Sequence, residues 1–230
     1  MEHLPLFIGI LFGLTTYLCV ALFYKASHYS TLLLCIILIW LLVQTVLSTH
    51  GFYKLTQQVP PRFVLLLVPP LLVTGCLFLF PKGRLFIDSL NIRTLTILHV
   101  IRIPVEVCLY LLCMHRVIPQ LMTFGGRNFD ILSGISAPLV YYFGFIKKRM
   151  SKKALLAWNI ICLGLVLHIV VNVVLSAPLP FQQFGFEQPN LALLYFPFVW
   201  LPCCVVPVVI FSHLASIRQL LPVCVQEKTA

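Results

Sequence analysis

The chain has 230 residues, 60% of them hydrophobic and only 10% charged, with a mean hydropathy of +1.02 and a formal net charge of +10. A soluble domain carries about 25% charged residues, so the composition excludes an ordinary soluble protein and fits an all-α, polytopic membrane protein. The basic residues sit in short clusters between apolar runs, which points to membrane topology and anionic lipid headgroups on the cytoplasmic side and away from nucleic acid.

Seven apolar runs, at about 4–24, 30–50, 63–80, 94–116, 129–146, 154–175 and 191–214, are long enough to cross roughly 30 Å of hydrocarbon. No connection between them could hold a soluble domain, so residues 1–230 read as a single seven-transmembrane-helix bundle. The first run follows Met-Glu-His without a basic n-region or a small-residue cleavage site, and reads as a helix that stays. Its Gly9 and Gly13 have the GxxxG spacing that admits close helix packing. The second run carries Gln44, and the third is interrupted by Pro69 and Pro70.

The fourth run holds His99, Arg102 and Glu106, with Pro104 between the last two. At 100° per residue these three charges and potential charges lie within about 60° on one helix face. Each costs roughly 2.5–3.5 kcal/mol at acyl-chain depth, so they should face the bundle interior or a cavity. The fifth run opens with Arg127, Asn128 and Asp130, which form a candidate outer rim. The sixth places His168 and Asn172 at i, i+4 on one face, with Asn159 pointing the opposite way. The seventh is broken by Pro197, Pro202 and Pro207, carries Trp200, and should be kinked and interior-facing. The connections 117–128 and 176–190, rich in Gly, Pro, Gln and aromatics, should fold over the outer mouth.

Lys and Arg set the orientation. Eleven lie in one set of connections and tails (Lys25, Lys82, Arg84, Arg93, Lys147, Lys148, Arg149, Lys152, Lys153, Arg218, Lys228) and four in the other (Lys54, Arg62, Arg116, Arg127). The positive-inside rule then puts the N-terminus outside and the C-terminus in the cytoplasm.

Counting roughly 1.5 Å per residue from the inner face brings Glu106, Gln44, His168, Ser133, Ser136 and Trp200 to one layer slightly outside the midplane. Arg102 sits about a turn lower and His99 lower still. The candidate pocket is therefore Glu106, Arg102, His168, Asn172, His99, Gln44 and Trp200. Glu106 could carry a proton or clamp a ligand, and Arg102 could meet a carboxylate or phosphate with two hydrogen bonds. The leading expectation is binding or translocation of a small polar or amphiphilic molecule, with or without proton coupling.

Two alternatives stay open. A membrane enzyme acting on a lipid or lipid-linked substrate could use Ser133 or Ser136 with His168 and Asp130 or Glu106, and a structural or assembly protein could use Arg102 and Glu106 only as a packing pair. Several chemistries lack their signatures. GxSxG and HExxH are absent, no CxxC occurs among the nine cysteines, and the seventh run has no lysine for a Schiff base. His99 and His168 differ by roughly 13 Å in height, which disfavours a bis-histidine haem. No metal or cofactor is expected.

The segments HVIRIPVEV (99–107), FGGRNFDILSG (124–134) and FPFVWLPC (196–203) resemble a group of bacterial multi-pass inner-membrane proteins without an assigned activity. The resemblance implies a bacterial cytoplasmic membrane location and carries no mechanism.

Overall fold

A computed structural model describes residues 4–55, 61–177, 182–188 and 190–221. Within it, nine α-helices follow one another: α1 (Leu6–Ala26), α2 (Thr31–Thr49), α3 (Val64–Leu79), α4 (Pro81–Ser89), α5 (Ile92–Leu98), α6 (Arg102–Met114), α7 (Ile131–Tyr141), α8 (Lys152–Ser176) and α9 (Val206–Leu220). A 3-10 turn over His99–Ile101 joins α5 to α6, and π-helical turns extend α7 over Tyr142–Ile146 and precede α9 over Leu201–Val205.

Helix starts follow local chemistry. Ser30 accepts from Leu33 N at 3.4 Å, Asn91 from Arg93 N and Thr94 N at 3.1 and 3.2 Å, and Ser151 from Ala154 N at 3.1 Å. Each side chain satisfies amides that a helix N-terminus leaves without an internal acceptor.

Among the described residues, five stretches are long and apolar enough to cross a membrane: Leu6–Ala26, Thr31–Thr49, Ile92–Met114, Lys152–Ser176 and Leu201–Leu220. The bent pair α3 and α4 makes a sixth if counted as one span. Large apolar side chains such as Leu32, Leu42, Leu72 and Ile161 are exposed on the outside of the bundle, the inverse of a soluble surface.

Three segments depart from the sequence-based expectation. Residues 81–93 are not a simple connection: α3 turns by 97° into α4, which carries Lys82 and Arg84 on its exposed side. The bend requires glycine at position 83, where an added Cβ would lie 2.3 Å from the Leu77 carbonyl oxygen. The fifth run is helical over Ile131–Ile146, within two residues of the expected 129–146, but this is too short to count among the membrane-length helices, because the chain before it folds inward. The seventh helix occupies Leu201–Leu220 in place of 191–214. Residues Ala192–Leu194 form a buried 3-10 turn instead.

α9 is the central helix. In the spanning window Leu201–Leu220 78% of residues are buried, against 17% for α2, although that window is the less apolar of the two, with mean hydropathy 1.7 against 2.5. Its interior prolines are accommodated as the sequence suggests. Pro207 deprives the Cys203 carbonyl of its i+4 donor, and the Trp40 indole N–H donates to that oxygen at 2.9 Å. The GxxxG pair marks no close approach: a Cβ added at Gly9 would lie 3.6 Å from the Pro197 ring, and one added at Gly13 would meet no described residue within 4 Å.

The connection 117–128 is packed into the bundle, with Ile118 and Met122 buried, and so is the segment after 176–190, where Ala192, Leu193, Phe198 and Val199 are buried; within 176–190, residues 182–188 are exposed or half-buried, and 178–181 and 189 lie outside the described residues. Leu191 N and Ala192 N both donate to Val117 O at 3.2 Å, and Ser48 donates to Leu194 O at 2.9 Å. At the other end, Arg218 grips Asp88 through two bonds of 2.9 and 2.8 Å, and Gln219 donates to Ile87 O and Leu90 O, tying α9 to α4.

Candidate functional site

Arg102 stands where the 3-10 turn passes into α6 and is 3% exposed. One terminal nitrogen donates to Asp130 Oδ1 at 2.7 Å, and the other donates to His213 Nε2 at 2.9 Å. A guanidinium can only donate, so His213 Nε2 is an acceptor and the ring carries its proton on Nδ1. That N–H donates to Asn159 Oδ1 at 2.9 Å, while Asn159 Nδ2 donates to Leu155 O at 2.9 Å. The four groups form one directed chain. His99 lies flat on His213, with ring centroids 3.8 Å apart and planes 7° apart, and Trp158 meets both rings edge-on at 5.7 Å.

Asp130 reaches Arg102 because α7 approaches the start of α6 at Gly134. A Cβ there would lie 3.1 Å from Ile103 N and 3.2 Å from Arg102 Cβ, so a larger residue would force the two helices apart. The inward fold of the preceding loop delivers Asn128 as well. Its side-chain amide donates to Glu106 Oε1 and, at 3.0 Å, to Met122 O. Its Oδ1 accepts from Asp130 N at 3.0 Å.

Glu106 is 2% exposed. Its second oxygen, Oε2, has no hydrogen-bond partner among the described residues, and neither do both nitrogens of His99 or Nε of Arg102. Glu106, Asn128 and Asp130 form the polar end of a cavity of about 60 Å³ whose remaining walls are Val, Leu, Ile, Met, Phe and Pro side chains. That is room for a few water molecules or a small head group.

The sequence-based site is thus partly assembled and partly redrawn. His99, Arg102 and Glu106 share the interior, but Arg102 pairs with Asp130 rather than Glu106. Asn128 and Asp130 are buried members of the site and not an outer rim; Arg127 alone stays exposed, its guanidinium 5.3 Å from the Phe184 ring centroid. His168 is exposed and bonded to Asn172 at 3.0 Å, well away from Glu106. The buried face of α8 runs through Leu155, Asn159, Cys162, Val166, Ile169, Asn172 and Ser176, so Asn172 is buried, whereas His168, two residues beyond Val166, is about 200° round the helix from it.

Gln44 and Trp200 also belong elsewhere. Gln44 accepts from the Tyr53 hydroxyl, and Trp200 donates to Thr45 Oγ1 at 3.0 Å. Height along a helix leaves open which neighbour a side chain faces. His213 and Asn159 are the residues that sequence reasoning missed. Ending the last helix at 214 left His213 near a terminus, yet the apolar positions Leu214, Ala215 and Ile217 signal a helix running further and place His213 two turns inside it.

No group of three or more His, Cys, Asp or Glu residues that could hold a metal ion occurs among the described residues. The eight described cysteines are unpaired.

Fold and site together define an all-helical protein with several membrane-length apolar helices around a buried, hydrogen-bonded ionic cluster. Residues 59–221 match the family described as a domain of unknown function, DUF8737, and the chain belongs to that family. The matched segment contains every residue of the cluster and excludes α1 and α2. No curated protein and no solved structure matches the chain.

Proposed function

We propose that this protein is a single-domain, seven-span membrane protein, N-terminus outside and C-terminus cytoplasmic, of a bacterial cytoplasmic membrane. It binds or translocates a small polar or amphiphilic molecule at the Glu106 cavity. The observation that carries the reading is Glu106 Oε2, buried and without a hydrogen-bond partner among the described residues, on a cavity wall inside an apolar bundle. Buried polar groups are overwhelmingly paired, and an exception asks for a reason; intramembrane ionisable groups mark sites by default.

The spans are α1, α2, α3 with its bend, α5–α6, α7, α8 and α9. The bend and the inward loops support counting the two shorter helices, since a broken helix survives in a bilayer where protein covers the freed backbone. The basic residues Lys147 to Lys153 and those of α4 fall at the end of the bundle where Arg218 and Asp88 meet, which supports a cytoplasmic face against anionic lipid. Glu106, the buried carboxyl on the cavity wall, is the group that could carry a proton, which supports proton coupling.

A thermal-shift screen of purified wild-type and Glu106→Gln protein against lipids, carboxylates, amines, quinones and haem tests the binding reading. A stabilising compound whose effect disappears in Glu106→Gln is the expected result. If no compound responds to the substitution and the variant is strongly destabilised, the cluster is a packing device. Flux in proteoliposomes that follows an imposed proton gradient distinguishes translocation from binding.

A further inference from the structure

The cavity's two ends have different chemistry, and together they specify a ligand class. The side-chain N–H groups that line the polar end, those of Asn128, are spent. Asn128 gives its amide hydrogens to Glu106 Oε1 and Met122 O, and Arg102, committed to Asp130 and His213, does not line the cavity. What the wall offers is oxygen: the free Glu106 Oε2 and the Asp130 carboxylate. When both are ionised, Glu106 and Asp130 set two carboxylates against one guanidinium and leave one negative charge in a low-dielectric site, where it is costly unless a cation answers it. An anionic head group would add to that charge; a cationic donor would cancel it.

The apolar end reaches the side of the bundle. Leu67 on α3 and Val170, Val173 and Val174 on α8 line the cavity and are partly exposed. The way from the outer end is filled by Met122 and Leu193, both buried side chains of the inward-folded connections. Access is therefore lateral, from the acyl-chain region between α3 and α8.

Resting on the binding reading above, we infer that the ligand is an amine-headed amphiphile. Its ammonium group pairs with Glu106 Oε2, and its hydrocarbon chain leaves between α3 and α8 into the bilayer. Arg102 is not an anion clamp in this arrangement, because Asp130 already neutralises it.

The test uses full-length protein in detergent and four probes with the same ten-carbon chain: decylamine, decanol, decanoate and decyl phosphate. Decylamine at about 100 times its Kd is expected to raise the melting temperature by roughly 5–10 °C, decanol by less, and the two anions not at all. Glu106→Gln should abolish the decylamine shift, and so should Val173→Trp, which fills the lateral mouth and leaves the polar wall intact. A Glu106-dependent shift with decanoate or decyl phosphate overturns the amine assignment and leaves the binding reading standing. A full shift with butylamine that survives Val173→Trp overturns the lateral, chain-bearing site. The absence of any Glu106-dependent shift overturns both the inference and the reading it rests on.

Discussion

Two polar groupings lie inside this apolar bundle, and they solve the cost of burial differently. Around α2 and the start of α9, Gln44, Tyr53, Ser48, Thr45 and Trp200 bond to one another or to backbone carbonyls, and none of them keeps a buried polar atom without a partner. All are neutral. Around α5 to α9, by contrast, an ion pair, two stacked histidines and a carboxylate are buried with several atoms left over. The first grouping joins helices at small cost, since each neutral hydrogen bond is worth about 1 kcal/mol net. The second spends stability on charge, which is the expected mark of a functional centre. The family match covers the second and not α2.

The sharpest way to break this contrast is Arg102→Ala. It strands the Asp130 carboxylate and the His213 acceptor, and should cost roughly 3–5 kcal/mol in unfolding free energy, read by denaturant titration in detergent. Arg102→Met combined with Asp130→Leu should recover most of that loss, because removing both partners leaves no unpaired charge. If the double variant is as unstable as the single one, the pair is not the source of the cost.

His213→Phe keeps the stack on His99 but removes the link between Arg102 and Asn159. A loss of about 1–3 kcal/mol is expected, read by denaturant titration in detergent. Tyr53→Phe acts on the neutral grouping: stability should fall by about 1–2 kcal/mol, and ligand-dependent stabilisation should be unchanged. A lost ligand response in Tyr53→Phe would erase the distinction between the groupings. The smallest effect belongs to His168→Ala, an exposed position, where stability should stay within about 0.5 kcal/mol of wild type and ligand response should persist.

These residues also mark how far one-dimensional reasoning reaches. The stripe of His99, Arg102 and Glu106 was legible because a single helix repeats every 3.6 residues, so spacing alone puts the three on one face. His168 failed by the same rule, since its phase relative to Val166 turns it outward; Asn159, assigned to the far side, was the residue that faced the cluster. For Asn128 and Asp130 the residues were singled out correctly and their depth was not, because a connecting segment has no period from which depth can be counted.

What the sequence determined by itself was the solvent and the raw material: too few charges and too much apolar length for water, helices wherever a run approaches the bilayer thickness, and one run with ionisable groups it could not hide alone. Only the tertiary structure decided the partners. Periodicity fixes a side chain's position and azimuth on its own helix, but which helix or loop stands opposite depends on packing: the bend at Gly83, the contact at Gly134, and the inward-folded loop that brings Asn128 and Asp130 to Glu106 and Arg102.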